Sequence, residues 1–323
     1  MDDNLIQQMF GALWSDITPQ DNVFAVKPLL AHYTSLPVME QILRNNEIWL
    51  SNPLFMTDLE EVRFGMFNAQ SMALASDAIS AACGTPERAD LLKQQINGYF
   101  NHFSNEHAID TYILCLSEHP RANEDGALSM WRGYGSNGNG AAIVIDTGKM
   151  NELVNSPLIL AKVHYGSNDE RLEWINQKLV DFASILSRSQ VPDDKLQGAA
   201  FWLFERLKQF ALFSKHHGFR EEQEWRVVYM RNRDPEDRLK PMFGYSVGPR
   251  GVEPKLKLKI EPIPGSTFPE FSLEQVVDRI ILGPSMSSPL VHASVCKMLD
   301  HLGRAGLKDR LRMSTIPFRP HPG

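Results

Sequence analysis

Residues 29–51, LLAHYTSLPVMEQILRNNEIWLS, contain a strand–helix–strand unit on which the interpretation of the whole chain rests. LLAHYT is short, apolar and strand-like in composition. In the segment that follows, Val38, Ile42 and Leu43 recur at helical spacing, and IWLS has the character of a second strand. This part of the chain therefore predicts short sheet strands with helices inserted between them.

The rest of the chain repeats this alternation. Strand-like segments recur up to the C-terminus, and two helical blocks interrupt them at about 64–105 and 169–214. The predicted fold class is α+β, with a mixed central sheet of six to eight short strands and inserted helices. Residues 1–25 are expected to form an N-terminal helical arm, and residues 26–323 a single catalytic-type domain.

Composition excludes several classes of protein. Of 323 residues, 43% are hydrophobic and 22% are charged, which argues against a disordered chain. A net charge of −6 argues against binding nucleic acid by bulk neutralisation of phosphates. No apolar run approaches the roughly 18 residues of a membrane span, and the acidic N-terminus lacks the features of a signal peptide. We therefore expect no membrane association.

Three cysteines, Cys83, Cys115 and Cys296, lie far apart and in no ligand spacing. An odd number of separated cysteines predicts free thiols in a reducing cytoplasm and excludes a zinc site built from cysteines. The expected location is therefore cytoplasmic.

The motif HYTS begins at His32 in the first predicted strand. Because alternate side chains of a strand share a face, His32 and Thr34 should project together and Tyr33 to the other side. A histidine and a hydroxyl in this arrangement could grip a ribose diol or a carboxamide. The alternative is a histidine satisfied by a backbone carbonyl at a strand edge.

A second motif, EEQEWRVVY, covers residues 221–229. The same alternation predicts that Glu222, Glu224 and Arg226 share one face, with Trp225 on the core side. Charged groups in such a row are rarely buried without a purpose, which makes Glu224 a candidate catalytic carboxylate. The alternative is a solvated edge strand whose charges form cross-strand ion pairs.

The third motif is SMWRGYG, residues 129–135, in a segment rich in glycine and asparagine that predicts a surface loop. It places Trp131 and Tyr134 beside Arg132, and aromatic rings near a basic group suit a planar cationic ligand or a nucleotide. Ordinary packing of a loop on a sheet explains Trp131 equally well.

An acidic segment, FMTDLEE, contains Asp58, Glu60 and Glu61. Together with His32, these carboxylates could bind a divalent metal. The alternative is the N-terminus of a helix, where negative charge is favourable.

Taken in order, the HYTS start, the W-x2-Y segment and the E-x-EWR strand resemble a bacterial family known as domain of unknown function 2971. The resemblance runs from about Leu29 to Phe318. A more distant resemblance, in the histidine of the first core strand and the glutamate of a late strand, is to the ADP-ribosyltransferase fold.

The distant resemblance implies a site for NAD as substrate, with no metal required. His32 would bind a ribose hydroxyl, Glu224 would stabilise the positive charge that develops on the ribose, and Glu222 would orient the acceptor. The aromatic partner of nicotinamide stays open between Tyr134, Trp131 and Tyr165. The implied catalytic residues are Glu224, His32 and Glu222, and the implied cofactor-binding residues are His32, Thr34, Tyr33, Trp131, Arg132, Tyr134 and Arg226.

Three functions follow as hypotheses. The first is an NAD-dependent ADP-ribosyltransferase or NAD glycohydrolase, of the kind found in bacterial toxins and phage defence, with a protein or nucleic-acid acceptor and a cognate antitoxin as partner. The second is a non-catalytic interaction or immunity protein, in which the same residues have structural roles. The third is a metal-dependent phosphoesterase or nuclease that uses His32, Asp58 and Glu60.

Overall fold

The computed structural model describes residues 3–56, 59–151, 156–248 and 251–318. The α-helices are α1 (Asp3–Phe10), α2 (Val23–Val26), α3 (Leu36–Asn45), α4 (Leu59–Ala75), α5 (Asp77–Cys83), α6 (Pro86–His102), α7 (Leu128–Gly133), α8 (Asn168–Ser189), α9 (Leu196–Phe213), α10 (Leu273–Val276) and α11 (Pro289–His301). The strands are β1 (Leu29–Ser35), β2 (Glu47–Ser51), β3 (Thr111–His119), β4 (Gly140–Asp146), β5 (Leu158–Lys162), β6 (His164–Gly166), β7 (Ser214–His216), β8 (Glu224–Met230), β9 (Phe243–Gly248), β10 (Gly251–Lys259), β11 (Val277–Leu282) and β12 (Leu311–Met313).

The chain divides into two compact units. Unit 1 contains residues 1–19, 52–111 and 163–219, and unit 2 contains residues 20–51, 112–162 and 220–323. The two helical blocks predicted at about 64–105 and 169–214 both fall in unit 1, in the same unit as α1.

Unit 1 is helical apart from the small parallel pair β6–β7. Helices α4 and α6 both pack on α9, and α5 packs on α8. Aromatic contacts fill the space between the helices: the rings of Phe100 and Phe204 lie 5.2 Å apart, edge to face. In the described part of the chain, no helix is long and apolar enough to cross a membrane.

Unit 2 is built on a ten-stranded, mostly antiparallel sheet, which confirms the predicted α+β class. The strand order is β12-β11-β4-β1-β3-β2-β10-β9, while β8 pairs with both β3 and β5. The β11–β12 pair is parallel. The prediction of six to eight strands was too low, and β9 is one strand that it missed. The sequence FGYSVG alternates Phe243, Tyr245 and Val247 with glycine and serine, but it lies in a segment rich in proline and glycine that was predicted to be irregular.

Local sequence explains how the chain changes direction within the strand–helix–strand segment at residues 29–51. Ser35 ends β1 and caps α3 by accepting a hydrogen bond from the Val38 N–H. At the other end, Asn46 adopts a left-handed conformation with φ 56°, which ends α3 just before β2. The polar residues at both boundaries therefore define the strand–helix–strand unit.

The sheet of unit 2 has two differently covered faces. We call the first the α3 face: Leu30 and Ile143 pack there with Met39 of α3 in one large core. We call the second the α7 face: Ala31 and Val144 lie there in a smaller core with residues of α7. Each motif side chain can be assigned to one of these faces by strand alternation.

Candidate functional site

His32 and Thr34 of β1 project to the α3 face. They are paired across β1–β4 with Ile143 and Ala141, which belong to the core of that face. Burial lowers the pKa of His32 to about 4, and a hydrogen bond to the main chain of Cys115 opposes part of this shift. His32 is therefore a neutral imidazole tied to the backbone, as in the structural alternative, although β1 is a central strand and not an edge.

Tyr33 projects to the α7 face, where it contacts Trp131. The two rings lie 4.8 Å apart, edge to face. The Tyr33 hydroxyl accepts a hydrogen bond from the Ala127 N–H at 2.9 Å, and the Trp131 Nε1–H donates to the Asp125 carbonyl at 2.8 Å. Gly126 has φ +79°, and a Cβ there would lie 2.8 Å from Trp131 Nε1. The glycine thus permits a tight packing contact in which Trp131 is fully buried.

The segment around Trp131 is helical and not the predicted loop. Residues Leu128–Gly133 form α7, whose Met130 and Trp131 are buried against the sheet. Tertiary burial of these two side chains overrides the loop-like composition of the flanking residues. Arg132 lies on the exposed side of α7, with its guanidinium carbon 5.4 Å from the centre of the Phe318 ring.

Strand β8 carries the EWR part of the motif E-x-EWR and is buried on both faces. Glu224 and Arg226 are 2% and 1% exposed, and the Arg226 Nε–H donates to Glu224 Oε1 at 2.7 Å. A second contact joins Arg226 Nη2 to Glu224 Oε2 at 3.3 Å. The intervening Trp225 has no exposed surface. The alternative of a solvated edge strand is wrong, because β8 lies between β3 and β5.

Glu222 does not share a strand face with Glu224, contrary to the prediction. Gln223 has φ +44°, and Glu222 ends the 3-10 helix His217–Glu222 before β8 begins. A left-handed residue breaks the period-two alternation on which the prediction depended. The Glu222 carboxylate instead accepts a hydrogen bond from the Tyr134 hydroxyl at 2.8 Å, and its main-chain carbonyl accepts one from Ser117 Oγ at 2.6 Å.

His32 and Glu224 lie on opposite faces of the sheet. Leu30 is paired with Glu118, so Glu118 shares the α3 face with Leu30 and His32. The Trp225 Nε1–H donates to Glu118 Oε2 at 3.0 Å, which places Trp225 on this face as well. Glu224, adjacent to Trp225 in the strand, therefore projects to the α7 face. The structure does not bring these two side chains into one cleft.

On the α7 face the structure brings together three pairs among the candidate site residues: Tyr33 with Trp131, Glu224 with Arg226, and Tyr134 with Glu222. Of these, only the pairing of Glu224 with Arg226 is expected from the non-catalytic hypothesis. Tyr134 is 45% exposed and Glu222 is half-buried, so the pair that they form is open to solvent. Tyr165, the third candidate aromatic, lies in β6 of unit 1.

Sequence reasoning missed Ser117 and Glu118 at the end of β3. The two residues connect the motifs, through Ser117 Oγ to the Glu222 carbonyl and through the Glu118 carboxylate to Trp225. Their signal in the sequence is the polar pair Ser-Glu directly after the apolar run TYILCL.

The acidic segment behaves as a helix start where the structure describes it. Glu60 and Glu61 lie in the first turn of α4, and the Glu61 carboxylate accepts a hydrogen bond from Arg171 at 2.7 Å. Asp58 lies outside the described residues. Among those that are described, no group of three or more histidine, cysteine, aspartate or glutamate side chains is placed to hold a metal ion.

Comparison with protein families gives one match. Residues 130–227 match the family described as Protein of unknown function (DUF2971). The match covers less than a third of the chain and supports the family resemblance of the motifs that lie within it. No curated protein and no solved structure matches the chain. The matched stretch begins in α7 and ends in β8, and the hydrogen bond between Tyr134 and Glu222 joins its two terminal motifs.

Proposed function

We propose that this DUF2971 protein is a non-catalytic interaction protein in which the motif residues have structural roles. The observation that carries the proposal is the separation of His32 and Glu224 on opposite faces of one sheet. His32 is bonded to the main chain of Cys115, and Glu224 forms a buried ion pair with Arg226. These are the roles expected when a chain keeps a scaffold without the chemistry of the resembling enzymes.

A binding role requires an exposed surface, and the β9–β10 hairpin of unit 2 offers one. Tyr245 and Val247 share a face of β9, and Val252 is paired with Val247, so the three exposed apolar side chains lie together. Among the described strands, β9 ends this side of the sheet and carries no charged residue. An uncharged edge strand favours addition of a further strand by a partner.

The partner segment that fits this surface is an extended, apolar stretch of another protein. A display library of peptides selected on the whole protein tests this proposal. We expect the selected peptides to be extended and apolar, and to bind the wild type. Their binding should be lost in the Val247→Lys variant. It should be retained in the control Val38→Lys, which changes an exposed valine of α3. Peptides that bind the Val247→Lys variant equally well would contradict the proposed surface.

The absence of NAD chemistry is tested directly. Purified protein is incubated with NAD, and free nicotinamide is measured against a blank without protein. We expect no release above the blank. Release that is lost in Glu222→Gln and retained in Glu236→Gln, a solvent-exposed control carboxylate, would overturn the proposal.

ADP-ribosyl transfer or hydrolysis of NAD is the second candidate, because one solvent-accessible pair supports it. Tyr134 and Glu222 place an exposed ring beside a carboxylate. Glu222 belongs to the E-x-E motif of the distant resemblance, and Tyr134 is one of the three aromatic residues left open as the partner of nicotinamide. In this version Glu222 takes the role first expected of Glu224 and stabilises the charge on the ribose, while Tyr134 stacks on nicotinamide.

The two candidates share an expected location. Cys83, Cys115 and Cys296 are all free thiols, which supports the cytoplasm as the proposed compartment. For the enzymatic candidate the acceptor is a protein or a nucleic acid. The acceptor is identified by incubating the protein with radioactive NAD under the conditions of the nicotinamide assay and measuring label on added proteins and nucleic acids.

A further inference from the structure

Unit 2 contains an apolar cavity on the α3 face of its sheet. The cavity has a volume of about 180 Å³. Leu116 and Leu160 form part of its sheet wall, and Phe24, Phe268 and Phe271 line it from other segments. None of its described lining residues is charged. The cavity is partly open to solvent, and an apolar concavity with few polar groups is a candidate binding site for a small molecule.

One polar group in the lining has an unfulfilled hydrogen-bonding capacity. Ser266 is 3% exposed, and its Oγ has no hydrogen-bond partner among the described residues. The other buried or half-buried hydroxyls of the lining are satisfied: Thr147 Oγ1 donates to the Pro28 carbonyl, Ser156 Oγ to the Ser266 carbonyl, and Thr267 Oγ1 to the Glu261 carbonyl. A buried hydroxyl without a partner is destabilising, and a ligand atom that bonds to it would remove that penalty.

Water is a poor occupant of such a cavity. A buried water molecule needs two to four polar partners, whereas cavities lined by leucine, isoleucine and phenylalanine stay dry and accept small apolar molecules. An engineered cavity of about 150 Å³ in another protein binds benzene. A space of about 180 Å³ therefore has room for one ring with a small substituent.

We propose that this cavity binds a small, neutral, apolar molecule that carries one hydroxyl or carbonyl group. The ring or branched chain of the ligand occupies the leucine- and phenylalanine-lined space, and its polar group forms a hydrogen bond with Ser266 Oγ. The absence of charge among the described lining residues disfavours nucleotides, phosphates and carboxylates. The proposal stands on the cavity alone and holds whether or not the motif residues are catalytic.

The test uses 4-methylphenol and toluene, which differ by one hydroxyl, as probes of the whole protein. Binding is measured by ligand-observed NMR and by the shift in melting temperature. We expect 4-methylphenol to bind about tenfold more tightly than toluene, and Ser266→Ala to remove that difference.

Cavity-filling variants locate the binding. Leu160→Phe, or the smaller change Val227→Leu, should weaken both probes at least tenfold without lowering stability, because added side-chain volume enters empty space. Leu290→Phe, at an exposed position of α11 outside the lining, is the matched control and should bind as the wild type does. The proposal is overturned if neither probe binds the folded protein, if filling leaves binding unchanged, or if the two probes bind equally.

Discussion

The ion pair between Glu224 and Arg226 leads to the sharpest prediction about the motif E-x-EWR. Both side chains are almost fully buried, with 2.7 Å between Arg226 Nε and Glu224 Oε1. Removing one partner of a buried pair removes a charge that stabilises the other in a medium of low polarity. Such changes cost about 3–5 kcal/mol. We therefore expect Glu224→Gln to lower the free energy of unfolding by about that amount.

A matched pair elsewhere in the chain provides the control. Glu236 and Arg238 have the same spacing of two residues and an N–O distance of 3.0 Å, but the Glu236 side chain is 68% exposed. Exposed ion pairs contribute about 1 kcal/mol or less because water screens them. Glu236→Gln should therefore leave the unfolding midpoint almost unchanged, and the difference between the two variants measures the effect of burial.

Urea denaturation of wild type and both variants gives the midpoints, and hydrogen exchange at the amides of β8 shows whether the loss is local. We expect Glu224→Gln to raise the exchange rates in β8. An unchanged midpoint together with complete loss of nicotinamide release would refute the structural role and assign Glu224 to catalysis. Equal destabilisation by Glu224→Gln and Glu236→Gln would refute the argument from burial.

Two further predictions concern β1 and its neighbour β4. Because burial holds the pKa of His32 near 4, below its value of about 6.5 in the unfolded chain, the unfolded state binds more protons between these pH values. The contribution of His32 to the free energy of unfolding should therefore be complete above pH 6.5 and fall by roughly 3 kcal/mol as pH drops to 4. In denaturation measured across this pH range, His32→Gln should flatten the slope. An identical slope in wild type and variant would contradict a buried, neutral His32. A Cβ at Gly140 would lie 2.1 Å from the Thr34 carbonyl oxygen, so Gly140→Ala should cost about 3 kcal/mol or more in thermal denaturation. Gly133→Ala, where a Cβ meets open space, should be neutral or stabilising by up to about 1 kcal/mol, and equal melting temperatures for the two variants would contradict the steric argument.

Local patterns in the sequence determine much of the fold. The strand–helix–strand unit at residues 29–51 follows from apolar periodicity, and its boundaries follow from Ser35 and Asn46. Ser288 followed by Pro289 begins α11 by the same capping logic. Alternation in β1 also separates Tyr33 from its neighbours, because a strand has only two sides. These features depend on residues close together in the chain, so the sequence alone suffices for them.

Only the tertiary structure decided which motif residues meet. Period-two alternation places side chains within one strand, but it does not state which face of one strand matches which face of another. Strand pairing sets that relation, and it puts His32 and Glu224 on opposite sides. The left-handed conformation of Gln223, which turns Glu222 toward Tyr134, is likewise a property of the folded chain. The sequence thus specifies the periodicity of each helix and strand and the residues that cap the helices. Pairing between distant strands specifies which residues form the site.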